Sequence, residues 1–163
     1  LKRFFWGCHW YLGFCLGLAP IAAQIALTGQ IQGPVILIAL AVTFWTAGFD
    51  ILYSIQDFAF DKKQNLYSIP VRFGYKKAVD ISRVCFLMMV MLLGALGVVT
   101  NRGVFYYIAL SLVSVILVYE HWLVRDIKIN GFSKKIDKAF FTANGWVSVL
   151  FYIFFQIDYL MGK

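Results

Sequence analysis

Charged side chains are scarce in this chain, 14% of residues against 61% hydrophobic. A water-soluble globule of that composition would have almost no polar surface to cover its core, so that class is excluded and lipid becomes the solvent. Cysteine is also sparse. Cys8, Cys15 and Cys85 sit at or within apolar stretches, with neither metal-ligand spacing nor a paired framework, which leaves them packing roles. Internal repeats, low-complexity tracts and linkers are missing, and residues 1–163 read as a single transmembrane domain. No cleavable signal is evident, because the first apolar run is followed by further spans instead of a soluble domain. The chain also opens on Leu1 instead of Met, and is expected to be part of a longer protein.

What is present is a series of long apolar runs. A bilayer core of roughly 30 Å needs about 20 mostly apolar residues per helix. Such runs lie near Trp10–Leu27, Pro34–Ile55, Ile81–Val99, Val104–Leu123 and Ala139–Leu160. The expected fold is therefore all-α, a polytopic transmembrane helical bundle with five spans. The loops around Gly29–Gly33 and Asn101–Gly103 are too short to do more than reverse the chain. Aromatic residues make up 18% of the chain and many flank the spans, as an interfacial belt would.

The formal charge of +7 raises the question of nucleic acid, and its placement answers it. With the N-terminus and alternate loops inside, Lys2, Arg3, Lys62, Lys63, Arg72, Lys76, Lys77, Arg83, Arg125, Lys128, Lys134, Lys135 and Lys138 are all cytoplasmic. Arg102 and Lys163 alone fall outside. This split obeys the positive-inside rule, so membrane topology accounts for the basic excess and no nucleic-acid partner is called for. The inner loops Gln56–Asp80 and Val124–Lys138 hold most of the charge, and the soluble-side chemistry is expected there.

Three carboxylates interrupt the end of the second run: Asp50, Asp57 and Asp61, with Tyr53 among them. At ~100° per residue, separations of seven and four place them on one helical face. A single Asp at mid-depth costs roughly 2.5–3.5 kcal/mol, so something must compensate. Mg²⁺ is the economical compensator, since it takes one or two carboxylates along with phosphate oxygens and waters. Asp57 and Asp61, one turn apart, suit that role. Asp50 lies about 10 Å further along the axis and is expected to hydrogen-bond a substrate or orient Tyr53. The plainer alternative is that Asp57 and Asp61 cap a solvated helix end beside Lys62 and Lys63.

These residues resemble the second Asp-rich motif of the UbiA superfamily of intramembrane aromatic prenyltransferases. The pattern reads here as Asp50, Tyr53, Asp57, Asp61, Lys62, Ser68 and Phe73-Gly74, with Asn65 where a Gly is usual; Asn tolerates the left-handed conformation that such a turn needs. Lys2-Arg3, Ala19-Pro20 and Phe140, Phe141 and Asn144 are similar to further family positions. The resemblance implies the last five helices of a nine-helix fold, the first Asp-rich motif being absent, and hence a chain inactive by itself.

The resemblance also implies Mg²⁺-dependent transfer of a polyprenyl group from polyprenyl diphosphate to an aromatic acceptor such as 4-hydroxybenzoate, in ubiquinone or menaquinone biosynthesis. Asp57 and Asp61 would be catalytic metal ligands, and Tyr53, Lys62 and Arg72 would touch diphosphate, with Lys76 as a further helper. Arg3 would hold the acceptor's carboxylate or help with diphosphate, and Asp50 would polarise the acceptor. The implied setting is the bacterial inner membrane, with the site toward the cytoplasm and the tail in the lipid bilayer. Glu120 and His121 read first as an interfacial pair near Arg125, and His9 as a cap or interface residue. Two rival classes stay open, a cation-coupled transporter and a non-catalytic membrane scaffold, although neither inverted repeats nor midplane helix breaks are evident.

Overall fold

The computed structural model describes residues 1–125 and 134–161. Seven helices follow in order: α1 (Cys8–Thr28), α2 (Gly33–Ser54), α3 (Phe58–Lys63), α4 (Ile69–Phe73), α5 (Tyr75–Val99), α6 (Val104–Arg125) and α7 (Lys134–Met161). Among the described residues, α1, α2, α5 and residues Val104–Trp122 of α6 are long and apolar enough to cross a membrane. The fifth expected span lies inside α7, which has 28 residues but opens on the charged stretch Lys134-Lys-Ile-Asp-Lys138. Residues 126–133 of the expected inner loop, Lys128 among them, lie outside the described residues, as does Lys163.

The helix ends follow local chemistry. Gly29 takes a φ of 69° and returns its N–H to Ile25 O, closing α1. Pro34 enters α2 in its first turn, where a missing N–H is harmless. Asn101, with a φ of 49°, ends α5: its own N–H bonds Val98 O, and the Arg102 N–H reaches Gly97 O at 2.9 Å. That pair of bonds is a Schellman closure, with Asn in the left-handed position that Gly more often fills.

Contacts divide the chain into two compact units, 1–93 and 94–163. In the first, α1 and α2 form an antiparallel hairpin whose helices approach through Gly13 and Gly17, four residues apart. A Cβ at Gly17 would stand 2.6 Å from Ala39 O, and one at Gly13 would collide with Thr43 O. This is the small-residue spacing by which membrane helices gain van der Waals contact where no hydrophobic drive operates. Gly48 of α2 similarly admits the Phe86 ring, and its carbonyl accepts the Ser82 hydroxyl at 2.8 Å. Leu16, Ile36, Leu87 and Met91 remain exposed, an apolar exterior for lipid.

In the second unit, the buried Asp158 of α7 accepts the N–H groups of Gly103 (3.1 Å) and Tyr106 (3.2 Å). It thereby satisfies orphan donors at the start of α6 and faces the positive end of that helix. Arg102 lies over the Phe155 ring at 4.1 Å, and Tyr106 packs edge-on against Tyr107 and Phe151.

Candidate active site

The acidic segment does not continue as one helix. α2 ends at Ser54, and the N–H groups of Ile55, Gln56, Asp57 and Phe58 each bond the carbonyl three residues back. This tighter winding advances about 120° per residue instead of ~100°, so the stripe expected from Asp50 to Asp61 is divided. Asp50 faces α1, whereas Asp57 and Asp61 gather at the end of the hairpin.

Lys2 is what gathers them. Its Nζ donates to Asp57 Oδ2 at 3.4 Å and to Asp61 Oδ2 at 3.1 Å. Asp61 is 1% exposed, while Asp57 lies open at the surface. Burial works against the ammonium, but hydrogen bonds and charge from Asp61 and then Asp57 outweigh it and hold Lys2 above its ordinary 10.5. The capping alternative is corrected here: Asp57 occupies the N-cap position of α3 without a side-chain cap bond, and Lys62 and Lys63 are exposed instead of paired with the acids.

Backbone bonds fix this arrangement. Asn65, at φ 51°, closes α3 through Asn65 N–H to Lys62 O and Leu66 N–H to Asp61 O, so the left-handed turn expected there is present. The next amide, Tyr67 N–H, donates to Lys2 O, and Cys8 Sγ reaches Tyr67 O at 3.8 Å. Trp6 meets the Phe73 ring edge-on at 5.2 Å. The N-terminal segment is thus tied to the chain between α3 and α4, which places Lys2 over the acids.

Arg3 points into a cavity of about 630 Å³ that it shares with Phe4, Phe60, Gln64, Asn65 and Leu66. Asp57 and Asp61 do not line it. Tyr53, Lys62, Arg72 and Lys76 are exposed. His9, expected as a cap or interface residue, is wholly buried: its Nδ1 stands 2.6 Å from Asp50 Oδ2. Asp50 is therefore engaged with an imidazole and not with Tyr53.

A sequence model of the UbiA prenyltransferase family matches residues 1–155. The chain belongs to that family. The 4-hydroxybenzoate octaprenyltransferase of Aromatoleum aromaticum is 26% identical over 163 residues, covering 98% of this chain and 52% of that protein. The protein of that name from Francisella tularensis subsp. novicida is 28% identical, covering 98% and 54%. Among solved structures, the apo structure of a UbiA homolog from Aeropyrum pernix K1 matches with a TM-score of 0.78 at 27% identity, covering 96% of this chain and 57% of that one. The chain thus spans about half the length of the curated relatives it matches.

Within this UbiA chain the second unit corrects one expectation. Glu120, expected at the interface, is fully buried, and neither carboxylate oxygen has a hydrogen-bond partner among the described residues. His121 Nδ1 bonds Leu117 O at 3.0 Å within its own helix. Two contacts that the sequence did not announce are those of Lys2 with the acids and of His9 with Asp50. The Lys-Arg pair at the N-terminus was a signal for the first; for the second, the sequence offered a histidine just before one apolar span and an Asp inside the next.

Proposed function

We propose that this chain forms one half of an intramembrane site that transfers a polyprenyl group from polyprenyl diphosphate to an aromatic acid such as 4-hydroxybenzoate, in ubiquinone or menaquinone synthesis. The observation that carries this reading is the convergence of Asp57 and Asp61 on one cation, the Lys2 ammonium, at the charged end of an apolar hairpin. Two carboxylates that gather an ammonium also present hard oxygen donors to a divalent ion, and two protein ligands are what Mg²⁺ usually takes when phosphate supplies others. Asp57 and Asp61 would hold Mg²⁺, which when bound neutralises the diphosphate and weakens its bond to the prenyl carbon.

The remaining residues have matching work. Exposed Lys62 and Arg72 attract diphosphate, and Tyr53 offers it a phenolic O–H from the last turn of α2. Arg3, which lines its cavity together with Phe4 and Phe60, suits the carboxylate end of an aromatic acid, since a guanidinium takes a carboxylate. Lipid-facing helices accommodate the isoprenoid tail. The clustering of basic residues at this end supports a cytoplasmic orientation for it, and the reading sets the protein in a bacterial inner membrane. The other acidic motif that the family resemblance implies is not in these 163 residues.

The test uses membranes carrying the protein expressed from its complete gene, given radiolabelled prenyl diphosphate and 4-hydroxybenzoate with and without Mg²⁺. Prenylated acid formed only with Mg²⁺ is the expected result. Ion uptake without product would instead support a transporter, and neither activity would support a scaffold.

A further inference from the structure

His9 is fully buried in the first turn of α1 and touches neither the acidic pair nor the lining of the Arg3 cavity. It touches two other elements. Its Nδ1 lies 2.6 Å from Asp50 Oδ2 on α2, and its Nε2 faces the backbone N–H of Ile69, the first residue of α4, at 3.4 Å. A backbone N–H can only donate, so Nε2 is the acceptor and the ring proton sits on Nδ1, directed at Asp50. One oxygen of Asp50 is thereby fixed from behind, while 27% of the side chain stays accessible.

An ionised carboxylate has about four lone-pair sites, and an imidazole N–H fills one. In an apolar slab, the open remainder is an acceptor awaiting a donor. We propose that His9 is a positioning residue, which holds Asp50 so that its carboxylate accepts a hydrogen bond from the ring hydroxyl of the aromatic acceptor. This rests on the prenyl-transfer reading. A hydroxyl held by a carboxylate pushes electron density into the ring and raises the nucleophilicity of the carbon beside it, so the orientation of Asp50 acts on the acceptor and not on the diphosphate.

Glutamine discriminates orientation from bulk, because its amide has one N–H for Asp50 and one carbonyl for Ile69 N–H. In the complete enzyme, His9→Leu should lower kcat/KM for 4-hydroxybenzoate by about 10- to 100-fold, the loss expected of a misplaced catalytic group, with the KM for prenyl diphosphate within about twofold. His9→Gln should recover most of that loss. His9→Leu added to Asp50→Asn should cost little more than Asp50→Asn alone, since both act through one hydrogen bond. An active wild type whose His9→Leu variant keeps its acceptor kinetics would overturn the inference and leave prenyl transfer standing. So would an equal rise in both KM values that His9→Gln fails to correct. A wild type without transfer would overturn the parent reading and the inference together.

Discussion

The ammonium of Lys2 lies 3.1 Å from the carboxylate of Asp61, 59 residues away in sequence, and that carboxylate is 2% exposed. With Asp57 on its other side, Lys2 stands where a metal held by the two acids would stand. On the proposed metal assignment, ammonium and Mg²⁺ would compete for the same oxygens, and the competition can be measured.

Replacing Lys2 by Met leaves Asp61 buried without its counter-charge. Breaking a buried pair costs about 3–5 kcal/mol, but Lys2 is 33% exposed, so solvent reduces the expected loss to about 1–3 kcal/mol. Lys2→Met should therefore melt earlier in detergent without Mg²⁺ and recover more than the wild type when Mg²⁺ is added. Equal Mg²⁺ responses would show that the ammonium and the metal do not share a site. The pH sense follows from the raised pKa of Lys2. Its contribution to stability is fully present below 10.5, the value of the unfolded chain, and is lost only as pH climbs through the higher folded value. The Lys2 side of the bridge should not titrate across the neutral range.

In the complete enzyme, Asp57→Ala and Asp61→Ala should each abolish transfer at every Mg²⁺ concentration, because either leaves this half of the site with a single carboxylate for the metal. Their stabilities should differ. Asp57 is exposed and its loss should leave the melting midpoint nearly unchanged, whereas loss of the buried Asp61 should lower it. Initial rates over a Mg²⁺ series, with thermal melts alongside, check both statements. Near-normal rates for either variant would remove the metal assignment.

The spans were legible because apolar runs of the required length carry their own signal: α2 was expected at Pro34–Ile55 and lies at Gly33–Ser54. Asn65 was legible too, since few other side chains tolerate a left-handed turn. The division of the acidic stripe was not, because a few i→i+3 bonds after Ser54 leave no periodic trace, and α3 and α4, of 6 and 5 residues, are too short for one. Pairings across the chain were also hidden. His9 meets Asp50 over 41 residues and Lys2 meets Asp61 over 59, distances that only the folded hairpin closes. Glu120 was misread because helix-end charges usually seek water, and its burial depends on packing that no local pattern encodes.

Arg3→Ala should act on the acceptor. Removing the guanidinium from the cavity lined by Phe4 and Phe60 should raise the KM for 4-hydroxybenzoate about tenfold, with the KM for prenyl diphosphate little changed. An acceptor analogue without a carboxylate should show no such difference between wild type and variant. An unchanged KM for 4-hydroxybenzoate would exclude Arg3 from that pocket.

The hairpin beneath the site depends on Gly17. A Cβ there would stand 2.6 Å from Ala39 O, a backbone atom that cannot swing aside as a side-chain tip can. Gly17→Val must separate α1 from α2, and overpacking of this kind costs about 1–3 kcal/mol. Because Lys2, His9 and the acids are joined across that hairpin, the shift should also reach the site. Gly33→Ala is the control: nothing lies within 4 Å of a Cβ at that position. Gly17→Val should give less folded protein from detergent and an earlier melt, and Gly33→Ala should match the wild type. Equal behaviour of the two variants would mean that the helices do not approach through Gly17.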